Sequence, residues 1–280
     1  MEHMGTAIYG ENVSVSWLNA LELLLREGRD VVNLAVSIRN SLEEDPGIRG
    51  ILDRFIASRR ADGSVEPVST VANTIFPAAL YIPRLGSRAR SHLYEMSEIG
   101  RPVSRRRNHL GTYFERLVAW PLEKETLNQL ERTVTRIRGL LARGRKTDNS
   151  LELGVFDPRD DEELTHAKSV ALSVYRPGRD NRIMGFPCLS HISLSLMDGE
   201  LHMTAVYRNH EFIRRAYGNY LGLGRVLSFL ARESGCEVGE LMCISSHADP
   251  EFRRFGRGPV RSLVEQCRVS MGTAVQAAGG

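Results

Sequence analysis

Several features are scarce or missing in this 280-residue sequence, and each absence excludes a class of protein. Four cysteines, with no Cys-x-x-Cys pair and no Cys/His spacing, exclude a disulfide framework and a structural zinc site, so we expect reduced thiols and no metal. No apolar run approaches the roughly 18 residues that span a bilayer, and no basic-then-apolar leader opens the sequence. We therefore expect a cytoplasmic protein that does not cross a membrane.

The charge is nearly balanced, with 37 Lys and Arg against 34 Asp and Glu, which gives a net charge of +3. This excess is too small to favour nucleic acid as a partner. The arginine-rich residues 101–107 could contact a phosphate, but a charge run is usually a solvated surface, and we favour that interpretation. With 42% hydrophobic residues, the chain has the composition of a globular protein that buries a core.

Hydrophobic periodicity predicts helices interspersed with strands. Apolar residues at helical spacing predict helices over residues 15–27, 48–56, 127–141 and 211–234. Runs rich in β-branched and apolar residues predict strands over residues 31–38 and 170–175. Asp45-Pro46-Gly47 predicts a turn, and residues 74–81, which contain Pro77, could form either a short strand or an extended loop.

The strongest local signal predicts a β-hairpin. Residues 192–196 and 201–205 each alternate apolar with polar side chains, and Asp198-Gly199 separates the two runs. An Asp-Gly pair in this position is typical of a two-residue hairpin turn. Helices mixed with a mostly antiparallel sheet, without regular strand–helix alternation, predict an α+β fold.

The hairpin register would place Cys188 opposite Asn209 and beside Arg208. A thiol beside a guanidinium has the features of an activated nucleophile next to an anion site. An arbitrary pair of this kind is more often a buried thiol and a surface ion pair, so the flanking residues must decide.

Those flanking residues resemble the catalytic core of thymidylate synthases and of related pyrimidine nucleotide hydroxymethylases. Pro187-Cys188 precedes the hairpin as the family's nucleophile does, Arg208 follows 20 residues later, and Asn219 follows 11 residues beyond that. The resemblance is strongest over residues 168–249, whereas residues 31–107 diverge. It implies a single domain over residues 1–280, with a mixed or antiparallel sheet packed against helices and a homodimer formed through the sheet.

The resemblance also implies catalytic roles. Cys188 would add to C6 of a pyrimidine nucleotide and make C5 able to attack a one-carbon electrophile. Asn219 would pair with the O4/N3 edge of the base. Tyr113, in a Leu-Gly-Thr-Tyr stretch that resembles a family motif, would join a proton network near the ring. An ordinary core tyrosine and a helix-surface amide are the alternatives for Tyr113 and Asn219.

The implied phosphate contacts are Arg208 and, from the partner subunit, Lys168. Tyr207 and Asn209 flank Arg208, where the family has Gln and Ser, and are predicted to contact the substrate in an altered way. The residue after the nucleophile is Leu189 rather than the family's His, so proton handling would differ as well.

Two acidic residues depart from the family's sugar site. Asp249 and Glu251 stand where a His and a Tyr hold the sugar 3′-hydroxyl. They could accept hydrogen bonds from a ribose diol or repel a nearby phosphate, or they could belong to a solvated acidic loop. The sequence leaves these alternatives open.

The resemblance implies methylene-tetrahydrofolate as the one-carbon donor. Glu211 replaces the Asp that contacts the pterin, while Arg214 and Arg215 place charge on the folate-facing side. The C-terminal residues 273–280 also lack the apolar-ended tail that closes over folate in the family. These differences favour hydroxymethylation over reduction to a methyl group, or a reaction without folate.

We therefore predict a one-carbon transferase that methylates or hydroxymethylates a pyrimidine nucleotide at C5, in specialised nucleotide or natural-product metabolism. A folate-independent enzyme that uses Cys188 on a different substrate is one alternative. A catalytically silent nucleotide-binding scaffold is the other.

Overall fold

The computed structural model describes residues 6–59, 65–107, 111–121, 125–142, 169–173 and 188–278. Within them, the helices are α1 Val13–Glu27, α2 Pro46–Ala57, α3 Val68–Ile75, α4 Ala89–Arg107, α5 Tyr113–Val118, α6 Gln129–Ala142, α7 Tyr217–Ser234, α8 Phe252–Phe255 and α9 Arg257–Ala278. The strands are β1 Thr6–Asn12, β2 Val31–Asn40, β3 Trp120–Pro121, β4 Thr126–Leu127, β5 Ser169–Ser173, β6 Leu189–Met197, β7 Glu200–Tyr207, β8 His210–Glu211 and β9 Glu237–Asp249. The fold is α+β, as predicted.

The chain divides into two compact units. The first unit comprises Met1–Ala72, Val206–Gly224 and Glu240–Gly280, and the second comprises Asn73–Ala205 and Arg225–Gly239. The elements β7, α7 and β9 have residues in both units. The single domain over residues 1–280 stays a prediction.

The first unit contains a mixed sheet packed against helices. β1 pairs in parallel with β2, and β2 pairs antiparallel with β9, with Val36 opposite Cys243. The short strand β8 adds a parallel pairing to β9 that places His210 opposite Ala248. Helix α1 contacts β1, β2 and α9, and α9 also contacts α2, so the apolar faces of these elements share one core.

Helix α1 confirms the helix predicted over residues 15–27. Asn12 caps its N-terminus, where Asn12 Oδ1 accepts a hydrogen bond from Val15 N at 3.0 Å, and Gly28, with φ 68°, caps its C-terminus. Its apolar stripe is buried, with Trp17 and Leu21 fully enclosed. Trp17 Nε1 donates to the Phe212 carbonyl at 2.8 Å, which fixes α1 to the segment that precedes α7.

Helix α2 confirms the helix predicted over residues 48–56, but the turn predicted at Asp45-Pro46-Gly47 is wrong. Asp45 caps the helix through a hydrogen bond from Ile48 N to its Oδ1 at 2.9 Å, and Pro46 is the first helical residue. Proline is well tolerated there because that N–H has no intrahelical partner. In residues 74–81, left open by the sequence, α3 ends at Ile75 and a 3₁₀ turn follows over Ala78–Leu80.

The second unit contains the predicted β-hairpin. β6 and β7 flank Asp198 and Gly199, whose φ values of 51° and 88° are those of a type I′ turn. β5 pairs antiparallel with β6 over Ser169–Ser173, which confirms the described part of the strand predicted over residues 170–175. Helix α6 confirms the helix predicted over residues 127–141 with a start two residues later.

The helix predicted over residues 211–234 is present but interrupted. A π-helical turn over Phe212–Ala216 leads into α7, which ends before Gly235 at φ 82°. A Cβ added to Gly224 of α7 would lie 2.2 Å from the Ser41 carbonyl oxygen, so only glycine allows this close approach. Among the described helices, none combines the length and apolar character needed to cross a bilayer.

Candidate functional site

The predicted nucleophile and the predicted proton-relay tyrosine are neighbours in the second unit. Tyr113 is the first residue of α5, and Cys188 immediately precedes β6. The Tyr113 hydroxyl oxygen accepts hydrogen bonds from the backbone N–H groups of Cys188 at 3.0 Å and of Leu189 at 3.3 Å. Tyr113 therefore fixes the backbone from which the Cys188 side chain projects.

Gly111 and Thr112 form the turn before Tyr113, and the contacts made there explain why both residues are small. Gly111 has φ 79°, and a Cβ added there would lie 2.7 Å from Glu115 Oε2. Thr112 caps α5 by accepting a hydrogen bond from Glu115 N at 3.1 Å. The glycine and threonine thus bring the Glu115 carboxylate back over the start of the helix that carries Tyr113.

Glu115 also accounts for part of the arginine-rich run. Arg105 Nε donates to Glu115 Oε1 at 2.7 Å, and Arg101 Nε lies 3.5 Å from the same oxygen. Both arginines lie on α4 and pair with an acid of their own unit. This pairing favours the interpretation of residues 101–107 as a solvated surface over that of a phosphate contact.

A cavity of about 330 Å³ adjoins the helix that carries Tyr113. Thr112, Phe114 and Glu115 line it, together with residues of α4 such as Met96 and Arg101. Its lining combines apolar residues such as Phe114 and Val118 with polar ones that include Arg101 and Glu115.

Burial makes the other three thiols poor nucleophiles. It raises the pKa of Cys236, raises that of Cys243 further and raises that of Cys267 to about 12. Cys243 and Cys267 are buried, whereas Cys188 and Cys236 are partly exposed. Cys236 therefore serves as the control for Cys188, because it is similarly exposed and no functional role is predicted for it.

The predicted base-reading residue lies in a buried polar network of the first unit. Asn219, on α7, is 4% exposed, and its Nδ2 lies 3.1 Å from His210 Nε2. His210 Nδ1 lies 2.9 Å from Ser245 Oγ, and the imidazole stacks on Tyr207 with centroids 4.1 Å apart and planes 3° apart. Burial lowers the pKa of His210 to about 3, so the ring is neutral at pH 7.

Sequence reasoning missed His210 and Ser245. His210 lies two residues after Arg208, between the predicted phosphate contact and the predicted base contact. This position in the sequence could have indicated that His210 lies near the site. Tyr207, a predicted substrate contact, is buried against the imidazole, while Arg208 is half-buried between β7 and β8.

Asn209 takes part in a second chain of polar contacts in the same unit. Its Oδ1 lies 2.6 Å from His247 Nδ1, and His247 Nε2 lies 3.0 Å from Asp30 Oδ2. His247 and Asp30 are 42% and 53% exposed, so this chain lies at the surface. The predicted contact of Asn209 with the substrate stays a prediction.

Glu251 is the most buried of the predicted acidic residues, with 3% exposure, so it is not part of a solvated loop. Its carboxylate accepts hydrogen bonds from Ile213 N at 2.8 Å, Arg214 N at 2.9 Å and the Arg214 guanidinium. Asp249 Oδ1 accepts a hydrogen bond from Glu251 N at 2.6 Å. Two departures from the family pattern, Arg214 and Glu251, are therefore a single ion pair that holds the start of the π-helical turn.

Further charged groups surround the ion pair between Arg214 and Glu251. Burial alone would lower the pKa of Arg214, but the hydrogen-bonded Glu251 and the nearby Glu211 raise it. Arg214 Nη2 donates to Glu211 Oε1 at 2.6 Å, and Arg215 Nε lies 3.7 Å from Glu211 Oε2. The predicted sugar contacts of Asp249 and Glu251 stay predictions, and both acids already accept hydrogen bonds within the unit.

Glu211 is compatible with the pterin contact that the resemblance implies. Its side chain is 27% exposed, and its Oε2 is only loosely paired with Arg215. A pterin N–H could reach that oxygen.

Lys168, the predicted second phosphate contact, lies outside the described residues. Within the described residues, no cluster of His, Cys, Asp and Glu could bind a metal ion.

Comparisons with known proteins give one consistent but short similarity. No family model matches the chain. It is 27% identical over 84 residues to a protein of Methanosarcina barkeri, and 28% identical over 88 residues to one of Methanothermobacter thermautotrophicus; both are named "Putative thymidylate synthase". These matches cover 30% and 31% of this chain, but only 38% and 40% of the relatives' lengths. The similarity supports a thymidylate synthase-like relationship over that part of the chain.

Proposed function

We propose that this protein is a thymidylate synthase-like transferase that modifies a pyrimidine nucleotide at C5 through a covalent adduct between Cys188 Sγ and C6. The observation that carries the proposal is the hydrogen bond from Cys188 N to the Tyr113 hydroxyl. It joins two residues, 75 positions apart, that the family resemblance independently assigns to the reacting centre. The short similarity to thymidylate synthases supports the same class of reaction.

The chemistry begins with the thiolate of Cys188. As the S–C6 bond forms, the π electrons of the C5=C6 bond move toward C5 and O4, and C5 becomes nucleophilic. After C5 has gained its new substituent, loss of the C5 proton and departure of the thiolate restore the double bond. Tyr113 is proposed to relay the proton, since its hydroxyl lies at the backbone of the nucleophile.

Binding roles follow from the same resemblance. Arg208 would pair with the phosphate, together with Lys168 of the second subunit in a homodimer. Asn219 would read the base, while Tyr207 and Asn209 would shape the surroundings of Arg208.

Methylene-tetrahydrofolate, when bound, would supply the one-carbon unit. Glu211 is the residue proposed to accept a hydrogen bond from its pterin. The buried pairing of Arg214 with Glu251 keeps a guanidinium close to Glu211 and therefore sets the charge on that side.

The test is tritium release from pyrimidine ribo- and deoxyribonucleotides labelled at C5, with and without methylene-tetrahydrofolate. Release to water requires attack at C6 followed by loss of the C5 hydrogen. Wild type and Cys236→Ala should release tritium from at least one nucleotide, and Cys188→Ala should not. Release that depends on folate identifies one-carbon transfer, and folate-independent release identifies the alternative chemistry of the same thiol.

Absence of release from every nucleotide, with the protein folded, would overturn the proposed C5 chemistry. Equal release by wild type and Cys188→Ala would overturn the role of the thiol.

A further inference from the structure

The cavity beside α5 lies on the side of that helix that faces away from the proposed nucleophile. Phe114, Glu115 and Val118 line the cavity, whereas Tyr113, whose hydroxyl accepts the N–H of Cys188, is not part of its lining. Successive residues of a helix are about 100° apart, so these three positions lie opposite Tyr113. The cavity is therefore separate from the proposed reacting centre.

Gly100, in the interior of α4, leaves part of this space open. Glycine at such a position lowers helix stability relative to alanine, because it loses more backbone freedom on folding. Its backbone does not have a positive φ, and a Cβ added there would meet no group of the described residues within 4 Å. Gly100 lines the cavity, so the missing side chain provides room for a ligand.

Apolar side chains from three segments of the second unit line the cavity. Helix α4 contributes Met96 and Ile99, α5 contributes Phe114 and Val118, and Leu80 lies in the 3₁₀ turn after α3. Met96 and Ile99 are 37% and 70% exposed, so a ligand with an apolar body would remove apolar surface from water. The volume of about 330 Å³ suits a single ring or a short branched chain.

Arg101 supplies a positive charge to the same cavity. The neighbouring Arg105 neutralises Glu115, since its Nε and Nη2 lie 2.7 and 2.5 Å from Glu115 Oε1. Arg101 is paired more loosely, with Nε 3.5 Å from that oxygen and Nη2 3.9 Å from the exposed Glu98. Its guanidinium can therefore donate two parallel hydrogen bonds to a ligand carboxylate.

We propose that this cavity binds a small monocarboxylate with an apolar body, such as an aryl or branched alkyl carboxylate, and that Arg101 pairs with its carboxylate. The single negative charge matches the one basic residue among the described residues that line the cavity. A phosphate would need further cationic donors, which this lining does not supply. The site lies outside the proposed function and does not depend on it.

The test uses 3-phenylpropionate as the probe and 3-phenylpropionamide as its neutral counterpart of the same shape. Isothermal titration calorimetry on the full chain should show that wild type binds the acid at least about tenfold more tightly than the amide. Arg101→Gln should lose that preference. Arg106→Gln, an exposed arginine of α4 outside the cavity lining, is the matched control and should keep it.

Filling the cavity should prevent binding of both probes. Gly100→Leu and Val118→Phe add volume at the lining, so each should lower the affinity for acid and amide at least about tenfold. Gly139→Leu, on α6 and outside the lining, is the control, because an added Cβ there also meets no group of the described residues within 4 Å. Thermal unfolding followed by circular dichroism confirms that each variant is folded.

Three results would overturn the proposal. The first is a wild type that binds neither probe. The second is equal affinity of wild type for acid and amide, or a preference for the acid that survives in Arg101→Gln. The third is unchanged affinity in both folded cavity-filling variants, which would place the probe elsewhere on the protein. Every readout is equilibrium binding, so none requires the tritium-release activity.

Discussion

The two groups of predicted site residues are held in opposite ways. In the first unit, Asn219 and Glu251 are almost fully buried and hydrogen-bonded to neighbours that are themselves buried or charged. In the second unit, Cys188 is partly exposed, and the Tyr113 hydroxyl accepts a hydrogen bond from its backbone N–H. The predicted base-reading residue is thus held through its side chain in a buried polar network, whereas the predicted nucleophile is held through its backbone.

The largest effect should come from the thiol. Cys188→Ala is expected to reduce tritium release at least a thousandfold, because no other described thiol can replace it. Its free energy of unfolding should change by less than about 1 kcal/mol, since the residue is partly exposed. Chemical denaturation and the release assay measure the two quantities, and Cys236→Ala is the control. A large loss of stability in Cys188→Ala would contradict the view that Cys188, unlike the buried Asn219 and Glu251, contributes little to the stability of the fold.

Disruption of the buried ion pair between Arg214 and Glu251 should, in contrast, lower the stability of the fold. Glu251→Leu removes the acceptor of two backbone N–H groups and of the Arg214 guanidinium, so the free energy of unfolding should fall by about 3 kcal/mol. Denaturant unfolding measures this loss. The double variant Arg214→Leu/Glu251→Leu should recover part of it, because no buried charge is left alone. A cost below about 1 kcal/mol for Glu251→Leu would contradict a structural role.

Tyr113→Phe tests whether the contact between the Tyr113 hydroxyl and the backbone of Cys188 serves the proposed reaction. It removes the oxygen that accepts the N–H groups of Cys188 and Leu189 and keeps the ring. Tritium release should fall about tenfold to a hundredfold, with a change in unfolding free energy of about 1 kcal/mol. Full activity in Tyr113→Phe would show that the contact does not serve the reaction.

The last prediction concerns the pH dependence of stability. Burial lowers the pKa of His210 to about 3, so the unfolded chain takes up a proton near pH 6.5, and the folded chain near pH 3. The stability from this group is complete above pH 6.5 and is lost as the pH falls toward 3, at about 1.4 kcal/mol per pH unit at most. Unfolding measured from pH 7 to 4 should show a shallower slope for His210→Phe than for wild type. An equal slope would contradict a buried neutral ring.

Elements with an uninterrupted local pattern could be predicted from the sequence. The Asp198-Gly199 turn is specified by the two residues that occupy positive φ, and α1 is specified by its apolar stripe and the glycine after it. The turn wrongly predicted at Asp45-Pro46-Gly47 shows the limit of such signals, because the same residues begin a helix when the next residues are apolar at helical spacing.

Elements whose pattern depends on tertiary partners were not predicted. β9 runs over Glu237–Asp249, yet its buried face includes Ser245, which is explained only by His210 from another strand. Helix α4 contains Pro102 and mostly polar residues, which obscure its few apolar residues at helical spacing, such as Leu93 and Met96. For the candidate site, the family motifs predicted roles for Cys188 and Tyr113, but no pattern could show that Arg214 pairs with Glu251.

The most direct test of the C6 adduct uses a pyrimidine nucleotide with fluorine at C5. Fluorine cannot leave as a proton does, so a one-carbon transfer stops with the nucleotide bound to the enzyme. Intact-protein mass spectrometry after incubation with 5-fluoro-dUMP or 5-fluoro-UMP and methylene-tetrahydrofolate should show one added nucleotide with its one-carbon partner, mapped by peptide analysis to Cys188. An unmodified protein under conditions where wild type releases tritium from the matching substrate, or an adduct on Cys236, would contradict the account.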